Sequence, residues 1–339
     1  MGATHTSLRD VLPGLLALVV VAALAHWLAG QIPYVNAIAL AVVIGGLASN
    51  LGLVPAAFRA GIDQYKLLLE TGIVLLGAAI PLAKIAASGA SIVLLVLGTV
   101  AVGVLLVELL SRRVFSLPRQ SGSLLAAGAS ICGVSAVVAV ASGIDADRDT
   151  LAYVASTVLL FDAVTLVLFP AAGHVLGLPD QVFGVWAGLA MFSTGPVAAA
   201  GFAYSPVAGH WATLTKLVRN ALIGVLAVGY ALVYRDEEDG ADGSVLSGLS
   251  PGEVWAQFPK FLVGFVLVVA IANAGLLAPW QLSAVGTVSD WLFALAFAGV
   301  GFSIQIEEMR SAGFAPIAIL AIYVVLMSAI TLVAVTALL

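Results

Sequence analysis

Apolar residues follow one another along this chain in blocks far longer than any amphipathic period would produce, and polar residues are confined to short gaps between them. Eleven blocks can be drawn, beginning near Val11, Val35, Leu67, Ser91, Leu124, Leu151, Val182, Ala212, Val254, Trp291 and Phe314, the last ending at Leu339. A block of about 17 to 25 residues, wound at about 1.5 Å per residue, crosses roughly 30 Å of hydrocarbon. The pattern therefore predicts an all-α polytopic membrane protein of about eleven transmembrane helices.

Composition agrees. Hydrophobic residues make up 62% of the 339, against 13 Lys and Arg and 18 Asp and Glu. A water-soluble surface could not be built from that ratio, whereas lipid asks for no polar shell. No gap between blocks is long enough for a soluble domain, so the whole chain, 1–339, reads as one transmembrane domain. The first block follows His5, Arg9 and Asp10 but exceeds a signal-peptide core, and Gly30-Gln31-Ile32-Pro33 is a poor cleavage site. We expect it to remain as a helix.

The basic residues set an expected orientation. With the N-terminus in the cytoplasm, the inner side holds Arg9, Arg59, Lys66, Arg112, Arg113, Arg119, Arg235, Lys260 and Arg310, while the outer side holds Lys84 and Arg148. This positive-inside bias places the C-terminus outside. An internal repeat is also expected, with halves near 64–111 and 287–337. Gly77-Ala78-Ala79-Ile80, followed by Lys84 and Gly89, aligns at a constant offset with Gly301-Phe302-Ser303-Ile304, followed by Glu308 and Gly313. The two copies would lie in opposite orientation, an architecture common in secondary transporters. Two unrelated glycine-rich helix ends would leave the same letters.

Two stretches depart from ordinary span composition. Residues 126–136 contain Ser130, Cys132, Gly133 and Ser135 among small neighbours, and residues 187–196 contain Ser193 and Thr194 ahead of Pro196. Proline lacks an amide hydrogen and clashes with the carbonyl four residues earlier, so a break near 192–195 is expected. Interrupted backbone inside a membrane needs protein or water to satisfy it. A helix that restarts there aims free amides and a positive dipole end at the gap, which suits an anion. Close packing of small residues is the structural alternative.

Charges inside the blocks point the same way. Lys216 and Arg219 share one helix face and could bind an anion, snorkel to headgroups, or pair with Asp162. Asp162 lies deep in the sixth block and could carry a proton or balance a cation. Glu70 and Asp290 read as interfacial. His26, His174 and His210 lack ligand spacing, and the lone Cys132 has no partner for a disulfide or metal, so neither a metal nor a cofactor is expected. No phosphate loop, zinc-protease helix or nucleophile elbow is present, which argues against an ATP-driven pump and against an enzyme.

Leu12-Pro13-Gly14-Leu15, residues 71–77, Ser130-Ile131-Cys132-Gly133-Val134-Ser135-Ala136, residues 183–188 and the Lys216-to-Arg219 segment together resemble the YeiH-type family of bacterial inner-membrane proteins, which carries the label sulfate exporter. The resemblance implies an inverted-repeat transporter with broken, crossed helices, related to bile-acid symporters and sodium/proton antiporters. In that family a His, an acidic residue and a Gln mark the seventh span. Phe192, Ser193 and Pro196 stand at those places here, and Asp162 stands where a small residue is common, which implies relocated coupling or another substrate.

Together these readings predict a secondary transporter of a small anion, sulfate-like or sulfonate-like, working as an exporter in the bacterial inner membrane. Ser130, Cys132, Gly133, Ser135, Ser193, Thr194, Lys216 and Arg219 would bind substrate, and Asp162 would couple protons. Partners would be the anion, the lipid bilayer and H+ or Na+, with no nucleic acid; a homodimer stays open. A membrane sensor or scaffold, a transporter of a small organic carboxylate, and an intramembrane enzyme using Cys132 or Asp162 are the competing readings.

Overall fold

The computed structural model describes residues 8–31, 37–80, 82–238, 258–309 and 313–339. Of the positions used above, His5, Ile32, Pro33, Val35, Val254 and Arg310 lie outside the described residues, as do the side chains of Arg9, Lys84, Arg235 and Glu308. The described residues are helical throughout, with no strand among them.

In chain order the helices are α1 (Leu8–Ala29), α2 (Ala37–Asn50), α3 (Arg59–Ile62), α4 (Tyr65–Leu76), α5 (Leu82–Leu109), α6 (Arg119–Ala127), α7 (Val134–Gly143), α8 (Arg148–Val175), α9 (Asp180–Ala190), α10 (Thr194–Tyr204), α11 (Pro206–Asn220), α12 (Ile223–Glu238), α13 (Phe261–Asn273), α14 (Pro279–Phe302), α15 (Ile306–Met309) and α16 (Phe314–Leu338). Six stretches are long and apolar enough to cross a membrane: Asp10–Ala29, Gly89–Val114, Arg148–Val175, Pro206–Tyr234, which is α11 and most of α12 in succession, Pro279–Phe302 and Phe314–Leu338. The other five blocks of the sequence are not single long helices. Ala37–Asn50 and Phe261–Asn273 are short, the third block is α4 followed by the 3-10 turn Gly77–Ala79, and the fifth and seventh are each split into two.

The outward faces are what lipid requires. Leu94, Leu105, Val167 and Val325 are each about two-thirds exposed, at 65%, 69%, 66% and 67%. In water such faces would drive aggregation; in hydrocarbon they cost nothing. Backbone bonds stay inside each helix, as a medium without hydrogen-bonding partners demands.

The chain forms two compact units. The first comprises 1–87, 198–210 and 260–306. Its helices α2 and α14 meet backbone to backbone, because Gly45 lies against Ala298 and Phe302, and Gly301 lies against Val42. Asn50 then fastens the end of α14: its amide nitrogen donates to Ile304 O at 2.7 Å, and its oxygen accepts from Ile306 N at 2.8 Å. The two proposed repeat segments both end helices of this unit. The first closes in a 3-10 turn at Gly77–Ala79 before α5, and the second follows α14 into α15.

The second unit comprises 88–197, 211–259 and 307–339. Its core gathers Leu124, Ile131, Val185, Phe192, Leu320 and Tyr323, all fully buried. Helix α8 enters this unit behind a side-chain cap: Asp147 accepts from the Thr150 amide at 2.7 Å and from its hydroxyl at 2.8 Å. Those hydrogen bonds, the backbone one first, hold the Asp147 carboxyl below the usual carboxylate range.

Candidate functional site

Both helix breaks lie in the second unit. The first interrupted helix runs through α6, widens into a π-helical turn at Gly128–Cys132, and restarts as α7 after Gly133. Gly133 has φ 66 and ψ −137, a conformation open to glycine and costly for other residues. The second stops at Ala190, passes through extended Met191, and restarts as α10 at Thr194. This break falls slightly earlier than Pro196 alone suggests. Pro196 occupies the third position of the restarted helix, where no amide hydrogen is needed, so it belongs to the new first turn and not to the gap.

The two breaks touch. A Cβ on Gly133 would fall on Ser193 Oγ and lie 3.3 Å from Ser193 Cα. Here the ends of four half-helices come together, two of them carbonyl ends carrying partial negative charge and two of them amide ends carrying partial positive charge.

Each kind of end is met by a side chain of opposite sign. From α11, Lys216 Nζ donates to Ile131 O at 2.6 Å and to Met191 O at 3.2 Å. Arg219 reaches further round the same carbonyls. Its Nη1 donates to Gly188 O, Leu189 O and Met191 O at 2.8, 2.6 and 2.8 Å, its Nε to Ser130 O at 3.3 Å, and its Nη2 to Ala129 O at 3.2 Å. Both side chains are fully buried. At the opposite pole, Asp162 Oδ1 accepts from Ser193 N at 2.8 Å, at the start of α10. Beside it, Asn220 Nδ2 donates to Thr194 Oγ1 at 3.0 Å.

This arrangement settles which partners the two cations take. Of the options the sequence offers, pairing with Asp162 is not what is found: the hydrogen bonds of both cations end on backbone carbonyls, and Asp162 accepts from the Ser193 amide. Backbone carbonyls take the place of a carboxylate, because an interrupted helix leaves up to four of them without intrahelical partners.

The remaining candidates fall around the crossing. Ser130 is fully buried with its hydroxyl unpartnered. Cys132 is buried within electrostatic reach of Lys216 and Arg219. Ser193 and Thr194 are half-buried, and Ser135, in the first turn of α7, is exposed. Phe192 is fully buried, edge-on to Phe161 at 6.0 Å and tilted against Tyr323 at 5.8 Å, so an apolar wall flanks Asp162. Glu70 and Asp290 are exposed side chains of the first unit. Among the described residues no group of three His, Cys, Asp or Glu is placed to hold a metal.

Three participants had no signal in the sequence. Asn220 and Tyr323 are ordinary letters in apolar helices. Glu108, near the end of α5, accepts from Arg112 Nε at 2.7 Å, Ser123 Oγ at 2.8 Å and Tyr230 OH at 2.8 Å. It thereby ties α5, α6 and α12 together beside a groove that exposes Leu105 and Leu109.

Comparison with known proteins gives this architecture a family. The sequence model of a family described as "Conserved hypothetical protein 698" matches residues 13–320. A UPF0324 membrane protein of Nitratidesulfovibrio vulgaris is 29% identical over 317 residues, covering 91% of this chain and 88% of its own. A UPF0324 membrane protein of Agrobacterium fabrum is 32% identical over 279 residues, with 81% and 76% covered. The UPF0324 inner membrane protein YeiH of Escherichia coli K12 is 28% identical over 327 residues, with 92% and 90% covered. Every helix from α2 to α15 falls within the matched residues, the crossing included, and the chain belongs to the family described as Conserved hypothetical protein 698, with the UPF0324 membrane proteins as its relatives.

Proposed function

We propose that this protein is a secondary transporter of a small anion, sulfate-like or sulfonate-like, spanning the bacterial inner membrane eleven times with its N-terminus in the cytoplasm. Five of those spans are the short or interrupted blocks, and the direction is export, as the YeiH-type resemblance implies. The protein acts as a carrier and not as an enzyme.

The observation that carries this reading is the crossing of the two interrupted helices. Gly133 and Ser193 bring four half-helix ends together, and the two amide ends face a centre whose side-chain charges, two cations and one carboxylate, sum to a net positive value. Such a centre attracts an anion and offers it first-turn amides and the hydroxyls of Ser193 and Thr194. Lys216 and Arg219 contribute potential while holding the carbonyl ends in place, and Asp162 is the coupling group. A sensor or scaffold would gain nothing from burying three ionisable groups, each of which costs several kcal/mol to desolvate.

The test is ligand-dependent stabilisation of the purified protein across sulfate, methanesulfonate, small carboxylates and Na+. An anion that binds the folded state at a hundred times its Kd adds about 2.7 kcal/mol of apparent stability. A sulfur oxyanion should raise the melting temperature, and Ser193→Ala should weaken that rise. Stabilisation by carboxylates alone would move the substrate class, and no stabilisation by any anion would contradict the reading.

A further inference from the structure

Among the buried atoms at the crossing without a hydrogen-bond partner are the hydroxyls of Ser130 and Tyr323, which can also donate, and two oxygens that cannot: Asp162 Oδ2 and Asn220 Oδ1. The side chains of Asp162 and Asn220 are 4% and 3% exposed. Each is fixed by its other terminal atom to one of two consecutive residues, Asp162 Oδ1 to the Ser193 amide and Asn220 Nδ2 to the Thr194 hydroxyl. Both free oxygens are therefore held at the start of α10. Both are acceptors. Buried acceptors left unpaired are costly, a carboxylate oxygen most of all; a donated hydrogen satisfies them, and so does a proton shared between them or a metal cation, which also offsets the carboxylate's charge.

We propose that Asp162 and Asn220 together hold one monovalent cation, H+ or Na+, and that its presence sets the charge of the anion the protein carries. This rests on the anion-transport reading above. Lys216 and Arg219 contribute two positive charges and Asp162 one negative charge, so the centre has a surplus of one. The dipole contributions of the four helix ends cancel to first order, since two are positive and two negative. Without the cation the centre balances a monoanion such as a sulfonate. With it the surplus is two, and a dianion such as sulfate is balanced. Sulfate then travels with one cation, a sulfonate travels with none, and each event moves one net negative charge.

The surroundings of Asp162 are consistent with this count. The charged group acting on it is Lys216 of α11. Arg219 and Cys132 act in turn on Lys216, and Tyr323 of α16 acts on Arg219. Ser193, which carries no charge, is the other residue acting on Asp162, and the rings of Phe161 and Phe192, each next to one of this pair in the chain, pack on one another.

The experiment uses the full chain in proteoliposomes, with the membrane potential clamped, and follows sulfate and methanesulfonate under separate pH and Na+ gradients. For one-to-one coupling, a tenfold gradient of the coupling cation should raise sulfate accumulation about tenfold and leave methanesulfonate unchanged. Whichever gradient is effective identifies H+ or Na+. Reversal potentials should give one net negative charge for either anion. Asp162→Asn, which keeps an acceptor for the Ser193 amide, should carry sulfate independently of both gradients and lose most methanesulfonate flux. Sulfate moving as two net charges, responding to neither gradient, or keeping its coupling in Asp162→Asn would overturn the proposal while leaving anion transport standing. Absence of flux for both anions would overturn the two together. The reversal potentials are read on the unmodified protein, so the test survives a variant that does not fold.

Discussion

Arg219 is the side chain on which the crossing depends most. Its five hydrogen bonds end on carbonyls of both interrupted helices, so it replaces the intrahelical partners that the breaks remove. Arg219→Leu should therefore orphan several buried carbonyls at about 1 to 3 kcal/mol each. We expect a loss of apparent stability of about 3 kcal/mol or more by thermal unfolding in detergent. Arg219→Lys should recover little of it, because an ammonium cannot span the carbonyls that a planar guanidinium reaches. Lys216, Arg219 and Asp162 were legible in the sequence as charges inside apolar blocks. Their partners were not legible, because backbone carbonyls have no letter of their own. The sequence therefore offered carboxylate, headgroup and anion as partners, and the carbonyl ends of broken helices took that place. Asn220 was missed for a related reason: an amide following a basic residue signals nothing until its neighbour across the fold is known.

At the level of the element, what distinguishes this chain is where its helices stop. Gly133 is required twice over, for its positive φ and for the space that Ser193 fills. Gly133→Ala should cost about 2 kcal/mol from backbone strain and overpacking together. Gly133→Ala combined with Ser193→Gly should recover only the packing part, and unfolding of both variants checks the division. The breaks were legible from small residues and Pro196, though the second was expected slightly late, since proline fits the first turn of the helix that follows. The capping of α8 gives a pH signature. Because the folded state depresses the Asp147 carboxyl, the cap's stabilisation is present above the unfolded carboxylate pKa and is lost as pH falls through the lower folded value. The difference in melting temperature between the unmodified protein and Asp147→Ala should thus be full near neutrality and vanish in strong acid.

For the whole molecule, the apolar blocks made the helical membrane class legible, because a span's composition is set by the solvent it meets. The division into two units was not legible. Residues 198–210 and 260–306 join the N-terminal helices through contacts such as Gly45 with Ala298 and Ser289 with Gly72 O, which leave no local mark in the sequence. The inverted repeat rests on three identities at a constant offset and remains a proposal, as does the orientation. Reporter fusions or cysteine labelling at Lys260 and at Arg148 should place these on opposite sides of the membrane, Lys260 in the cytoplasm. Labelling of both from one side would remove the eleven-span arrangement.

The central claim is that an anion is bound and carried where α7 and α10 restart. Concentration-dependent flux of sulfate and methanesulfonate into proteoliposomes, compared between the unmodified protein and Ser193→Ala, tests it most directly. The account predicts saturable flux well above protein-free liposomes, with KM raised about tenfold in Ser193→Ala through loss of one charge-assisted hydrogen bond. Flux no greater than in protein-free liposomes, or a KM indifferent to Ser193, would contradict it.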